Sequence, residues 1–412
     1  MRISRLLVTI ALITTSLSAV PAGSLGATAA EPFGATAAGS LATAPAAATF
    51  PRIDASGFQL VQGSTFATYG ARIAALETKP QLAPVGVPEV LAASNRTGRA
   101  LCHATYLNAA LNPQGFCWQD GEDDDLNVWI PQGVTGSGDA QPGGGARRVI
   151  AATWHNADDT AIRVSFLDVA TNKYRHVLLV EPTSDSNFAA ITGHGHGLYW
   201  SGNYLVVATS GSVLRVFDLR HVWRTDTSSE VVGLGADGKY HARWHAFALP
   251  QVGAYWYAGG GGCAASTGNR PCFSSLALDH TGSFVSAEHT ARGGGRIVRW
   301  PHDPATGLPK TNAAGVVQAS EALASPVWGM QGAVSSGDSF VITGVCPEYA
   351  DNIGDGVDYP SCLHRGTAGG STAVWTKAPK NTENLSHWPA THELWLISEQ
   401  LRERVTVHIP WQ

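Results

Sequence analysis

Charge is scarce in this 412-residue chain: Asp, Glu, Lys and Arg together make up 14% of it. Sustained helical periodicity is missing too, beyond short pieces such as residues 68–77, so a helical bundle is excluded. Basic residues are outnumbered, 27 Lys and Arg against 32 Asp and Glu for a formal charge of -5, which argues against a protein built to grip a phosphate backbone. After the N-terminal segment no apolar run is long enough to span a bilayer. There is no P-loop, no Rossmann glycine fingerprint, no Gly-x-Ser-x-Gly elbow and no His-Glu-x-x-His pair, so the chemistries that those motifs serve are not indicated.

What is present begins with an export signal. Arg2 and Arg5 precede the apolar run Leu6 to Leu12, small residues follow, and residues 1–30 read as a signal peptide. Residues 31–50 are nearly all Ala, Gly, Thr, Ser and Pro and read as a flexible leader with too little apolar surface to order. Residues 51–412 then form one domain of a protein expected to be secreted and extracellular, monomeric, and without nucleic-acid partners. Six cysteines in close pairs, Cys102/Cys117, Cys263/Cys272 and Cys346/Cys362, fit three local disulfides in an oxidising compartment. None of these pairs has the Cys-x-x-Cys spacing of a zinc site.

Glycine is abundant, 46 residues, and much of it lies in a recurring frame. A small, polar, Gly-rich strand, a tight turn and a β-branched strand recur with starts near 132, 196, 275, 331 and 386. The spacing is too long for single hairpins and suits four-stranded blades with insertions, so the expectation is an all-β, five-bladed β-propeller. Residues 51–100 either complete the last blade or supply a sixth. Trp129-x-x-Gln132-Gly133 and Trp328-x-x-Gln331-Gly332 are the closest internal match. The boxes typical of sialidases and the Gly-His/Trp-Asp pairs of WD40 repeats are absent. Gly115-Phe-Cys-Trp-Gln-Asp-Gly and Trp129-Ile-Pro-Gln-Gly-Val-Thr-Gly loosely resemble uncharacterised secreted β-propeller proteins of high-GC soil bacteria, a resemblance that implies the fold and carries no assigned activity.

In such a ring the first strands line a channel, placing Gln132, His196, Ser275, Gln331 and Ser386 at one level. His194 and His196 share a strand face, so they suit proton transfer, transition-metal ligation, or plain hydrogen bonding to water and carbonyls. Glu288 and Asp355 are further catalytic candidates, and Gln132, Gln331, Arg292, His387, Trp256 and Tyr359 are candidates for holding substrate, the aromatic rings by stacking on sugar faces. The run Asp120, Glu122, Asp123, Asp124, Asp125 is either a solvated loop or an oxygen-rich calcium site with Asp123 and Asp125 as ligands; calcium is the one cofactor suggested. Three readings stay open: a secreted carbohydrate-active enzyme, hydrolase or lyase, at the channel mouth; a lectin-like or protein-binding module; and a metal-dependent oxidoreductase using the channel histidines. The expected partner is a glycan or another small polar ligand.

Overall fold

The computed structural model describes residues 47–141 and 147–411. The expected signal peptide and the leader up to residue 46 lie outside these residues. Eight strands form the largest element: β1 (Trp129–Gly136), β2 (Val149–Asn156), β3 (Ile162–Asp168), β4 (Lys173–Ser184), β5 (Gly195–Ser201), β6 (Tyr204–Thr209), β7 (Val213–Asp218) and β8 (Phe247–Tyr257). β-Branched and aromatic residues fill both faces of these strands, and β2, β3 and β6 are buried along nearly their whole length. Strands β1 to β4 pair antiparallel in order, as do β5, β6, β7 and β8. A parallel joint, Leu178–Val180 of β4 against Ala248–Pro250 of β8, fuses the two sets into one sheet. Its ends come together, with Trp200 N donating to Thr135 Oγ1 at 3.2 Å and Thr153 Oγ1 donating to the His196 carbonyl at 2.6 Å. The result is a near-closed, barrel-like path of eight strands.

Outside it lie three smaller antiparallel sheets and a two-stranded ribbon of Val232–Leu234 with Tyr240–Ala242. One holds β9 (Phe273–Leu278), β10 (Ser283–Glu288), β11 (Gly294–Asp303) and β12 (Glu321–Trp328). A second holds β13 (Gly332–Ser336), β14 (Ser339–Val345), β15 (Pro360–Thr367) and β16 (Ser371–Lys380), edged by Ala47–Thr49. The third holds β17 (Thr382–Trp388), β18 (Glu393–Ser398) and β19 (Val405–Pro410), and continues through Gln114–Cys117, so residues near the two ends of the chain share a sheet. Helix α1 (Thr65–Leu76) buries Tyr69, Ile73 and Leu76 and sets Phe66 edge-on to Tyr255 of β8, with ring centroids 5.7 Å apart. Helix α2 (Val87–Ala92) starts with Pro88 in its first turn, and the Glu89 carboxylate accepts from Gly86 N at 3.0 Å.

These findings correct the expectation of an all-β, five-bladed propeller. The fold is mixed, and its sheets are unequal, one of fourteen strands beside others of six, five, five and two, so it is not a set of symmetric blades. The parallel joint explains the difference: it merges two of the recurring units, a pairing between distant segments that no local pattern announces. The channel is absent as well. Gly197 packs backbone to backbone against β9, where a Cβ would lie 2.5 Å from Leu276 N, and Gly332 does the same against the Glu383 carbonyl, at 2.4 Å. The glycines of the recurring frame therefore close the space between first strands instead of lining an opening. The predicted ring is also out of register. Ser386 and Thr135 both donate to Asp139 at 2.5 Å, away from Gln132, and Ser275 is buried with its Oγ accepting from Ala333 N at 3.2 Å.

Candidate functional site

The end of β2 and the start of β5 bring three side chains together. His155 is the penultimate residue of β2, and the turn that follows carries Asp159 with a left-handed φ of 52°. His194 enters β5 from the neighbouring edge. His155 Nδ1 lies 2.6 Å from Asp159 Oδ1, and His194 Nδ1 lies 3.5 Å from the same oxygen. The two imidazoles overlap with centroids 3.6 Å apart, and the ligand atoms of all three residues fall within 4.8 Å of one another. Burial lowers the pKa of both rings. For His194 the neighbouring His155 adds to burial and the value falls to about 4, so both are neutral near pH 7; His155 Nδ1, between the Asp159 carboxylate and the Asn156 carbonyl at 3.0 Å, carries a proton that an incoming ion would displace.

A chain of hydrogen bonds leads from this triad. His194 Nε2 donates to Gln132 Oε1 at 3.1 Å, because an amide oxygen only accepts; that leaves the Nδ1 lone pair facing Asp159. The Gln132 amide in turn donates to Glu399, and Gln331 Nε2 donates to Glu383 Oε1 at 3.0 Å. Burial pushes the Glu383 carboxyl well above the usual range and the charge on Glu399 adds to the effect, while Glu399 itself is raised by burial against the opposing Gln132 bond and Arg404. These carboxyls, Gln331, His289 and the stacked rings of Tyr349 and Tyr359, 4.6 Å apart, line a cleft of about 240 Å³.

Other candidates lie elsewhere or serve the framework. His196 sits beside His194, centroids 4.6 Å apart, and burial with the nearby His194 brings its pKa down to about 3, but it is outside the ligand group. Glu288 is fully buried and locked to Arg296 by two bonds of 2.7 Å, and it also accepts from Ser266 N and Cys272 N, so it anchors a disulfide loop. Asp355 is exposed and accepts from Val357 N and from the Tyr359 hydroxyl, both at 2.8 Å. Arg292 donates to the Ile353 carbonyl, His387 stacks on Trp411, and Trp256 covers Gly63. Asp125 caps its own loop by accepting from Gly121 N. The cysteines are joined as Cys102–Cys117, Cys263–Cys272 and Cys346–Cys362.

Asp123 is neither solvated nor free for calcium. Its carboxylate takes Arg163 Nη2 and the Tyr174 hydroxyl at 2.6 Å, Arg96 Nε at 2.8 Å and His176 Nε2 at 2.9 Å. Three groups of His, Cys, Asp or Glu among the described residues have the spacing to chelate an ion, and none is specific for calcium. Two of them, Cys102–His103–Cys117 and Cys346–Glu348–Cys362, use disulfide-bonded sulfurs that have no thiolate to give. Only His155–Asp159–His194 keeps all its donors.

No family model and no curated protein matches the chain. Among solved structures it is similar, at a distance, to the β-propeller domain of Cps50 (Swd1) from Myceliophteria thermophila, at 8% identity over 77% of this chain and 98% of that one, TM-score 0.32. It is similar also to glutaminyl cyclase of Myxococcus xanthus, at 10% identity over 76% of this chain and 97% of that one, TM-score 0.26. A putative 6-phosphogluconolactonase of Bacteroides uniformis gives 13% identity over 63% of each chain, TM-score 0.29. Likeness this weak supports no argument, so the resemblance to a secreted β-propeller family is withdrawn together with the blades. The three readings at a channel mouth fall with the channel. The hydrolase reading loses its carboxylate pair besides, since Glu288 is sealed by Arg296 and Asp355 lies on an exposed loop.

Sequence reading missed His155, Asp159, Glu383 and Glu399. His155 and Asp159 stand four apart across a turn, a faint signal; Glu383 lies in β17, Thr-Glu-Asn-Leu-Ser-His-Trp, a mostly polar run that gives no sign of its burial.

Proposed function

We propose that this protein binds one divalent transition-metal ion of the zinc class through His155, Asp159 and His194. The observation that carries the reading is the convergence of two neutral imidazole nitrogens on one carboxylate oxygen, at 2.6 and 3.5 Å. Two nitrogens and one oxygen suit a tetrahedral ion that keeps a fourth position for water or a ligand, with metal–nitrogen bonds of about 2.0–2.1 Å. Calcium prefers six or more oxygens and is disfavoured by this donor set. Gln132 acts behind the site by fixing the tautomer of His194, the usual task of an outer partner to a ligating histidine. The three disulfides support an oxidising compartment, and we take the protein to work after export. Among the described residues no helix is long and apolar enough to cross a membrane.

The test is elemental analysis and calorimetry on protein stripped with chelator and then offered Zn²⁺, Co²⁺ or Ca²⁺. One Zn²⁺ or Co²⁺ per chain is expected, with Co²⁺ giving a tetrahedral absorption band, and binding is expected to fall at least about tenfold in H194Q and in D159N. Failure of wild-type protein to retain either ion, or unchanged affinity in both variants, overturns the assignment.

A further inference from the structure

A second cleft is bordered by Trp129, and its chemistry is opposite to that of the acidic one. It encloses about 200 Å³ and is lined by Arg96, Arg163, Arg175 and Arg243 together with Trp129 and Trp244. No carboxylate lines it. In a chain with net charge -5, four guanidinium groups around one small space require an account.

Their partners are unequal. Arg163, 3% exposed, and Arg96 share the buried carboxylate of Asp123. Arg175 donates instead to the Ala93 carbonyl at 3.1 Å, and Arg243 to the Thr160 hydroxyl at 3.0 Å, both neutral oxygens. Neither of these two has an acidic partner among the described residues. Two positive charges are thus left for solvent or a ligand, and burial, with repulsion from Arg96 added, lowers the pKa of Arg175. The Arg163 guanidinium lies over Trp129, 4.3 Å from the ring centroid, and its Nε is buried without a hydrogen-bond partner among the described residues.

The rim is shaped for contact. Trp244 is 57% exposed, the most exposed tryptophan among the large exposed apolar side chains. Arg243 and Trp244 are consecutive and both left-handed, with φ of 50° and 61°. Two bulky residues in that region are strained, and such strain persists where the surroundings hold it and tends to mark functional positions. The turn is held by Arg243 N donating to the Val231 carbonyl and Trp244 N donating to the Ser229 carbonyl, each at 3.0 Å. The strained pair aims one guanidinium and one indole at the same opening, which widens toward Asn127, Val128 and Asp158 into a further space of about 320 Å³.

We propose that this cleft binds a small molecule that carries an oxyanion (carboxylate, phosphate or sulfate) next to a planar ring, the oxyanion meeting Arg175 and Arg243 and the ring lying on Trp244. Planar guanidinium groups match the geometry of these oxyanions, and an exposed indole supplies a stacking face. The inference does not rest on the metal site, because no ligand of that site lines this cleft.

Calorimetric titration of chelator-treated protein with phenyl phosphate, phenyl sulfate and benzoate, beside benzyl alcohol and benzylamine, tests it. At least one anion is expected to saturate a single site at about millimolar concentration or below, and to weaken as salt is raised. Affinity is expected to drop about tenfold or more in R175Q and in R243N, asparagine being tolerant of the left-handed backbone, and about threefold in W244A. Trp244 is exposed, so its variant reads binding without threatening the fold. Ranking among the three anions identifies the headgroup. Absence of binding by all three anions, equal binding of benzyl alcohol or benzylamine, or an affinity unmoved in W244A and both arginine variants overturns the proposal.

Discussion

Replacing Asp123 by Asn should unfold a large share of this protein's stability margin. The carboxylate is 6% exposed, accepts hydrogen bonds from Arg163, His176 and Tyr174, and is ion-paired with Arg96. Burial raises its pKa, but His176, Arg163 and Arg96 together outweigh burial and hold it well below the usual aspartate range. His176, driven by burial and the arginines to about 3, is neutral at pH 7, so there it contributes an N–H and the arginines supply the charge. An asparagine keeps the volume, removes the charge that neutralises a guanidinium 3% exposed, and turns an NH₂ group toward surrounding donors. Breaking a buried pair in this way costs about 3–5 kcal/mol. The assay is guanidinium denaturation of disulfide-intact protein at pH 7, with D120N as control, because Asp120 pairs with Arg99 at an exposed position worth about 0–1 kcal/mol. The sign with pH is set as well: a lowered carboxylate stabilises fully above its unfolded value, and that contribution is lost as pH falls through the folded one. A D123N loss no larger than that of D120N would refute the hub. So would a fall in wild-type stability on adding a calcium-selective chelator, since Asp123 would then be serving an ion.

Two further outcomes follow from packing and burial. Gly197→Ala should destabilise by about 1–3 kcal/mol or more, as overpacking does, whereas Gly70→Ala, in α1 with nothing within 4 Å of the added methyl, should stabilise by about 0.5–1 kcal/mol. Similar denaturation midpoints for the pair would remove the backbone-contact explanation of the Gly-rich strands. Glu383 keeps its proton in the fold above the unfolded glutamate value, so its contribution is fully present below that value and lost as pH rises through the folded one. Wild-type stability should therefore decline more steeply than that of E383Q as pH rises above the unfolded glutamate value, with Glu399 and Asp358 present in both. Parallel pH profiles would show that Glu383 is ionised in the fold.

The sequence by itself determined the local features. Alternating and β-branched runs specify strands such as Tyr204–Thr209, and Gly202 and Gly337, both at positive φ, sit in the turns that the recurring frame places between paired strands. The cysteines bond to their near neighbours, because each pair closes a short loop whose ends are already close. Tertiary structure alone decided which strands share a sheet. The parallel joint of β4 with β8 and the pairing of Val405–His408 with Gln114–Cys117 join segments far apart in sequence, and alternation looks the same whichever partner a strand finds. The sites were hidden for the same reason. His194 was visible, but His155 and Asp159 become its partners only when β2 and β5 lie side by side, and the acidic run beside Cys117 looked like a cation site until folding surrounded Asp123 with donors from Arg163, Tyr174 and His176 and the charge of Arg96. Whether a carboxylate holds an ion, keeps a proton or neutralises an arginine depends on what burial places within hydrogen-bond reach, and a linear sequence does not hold that distance.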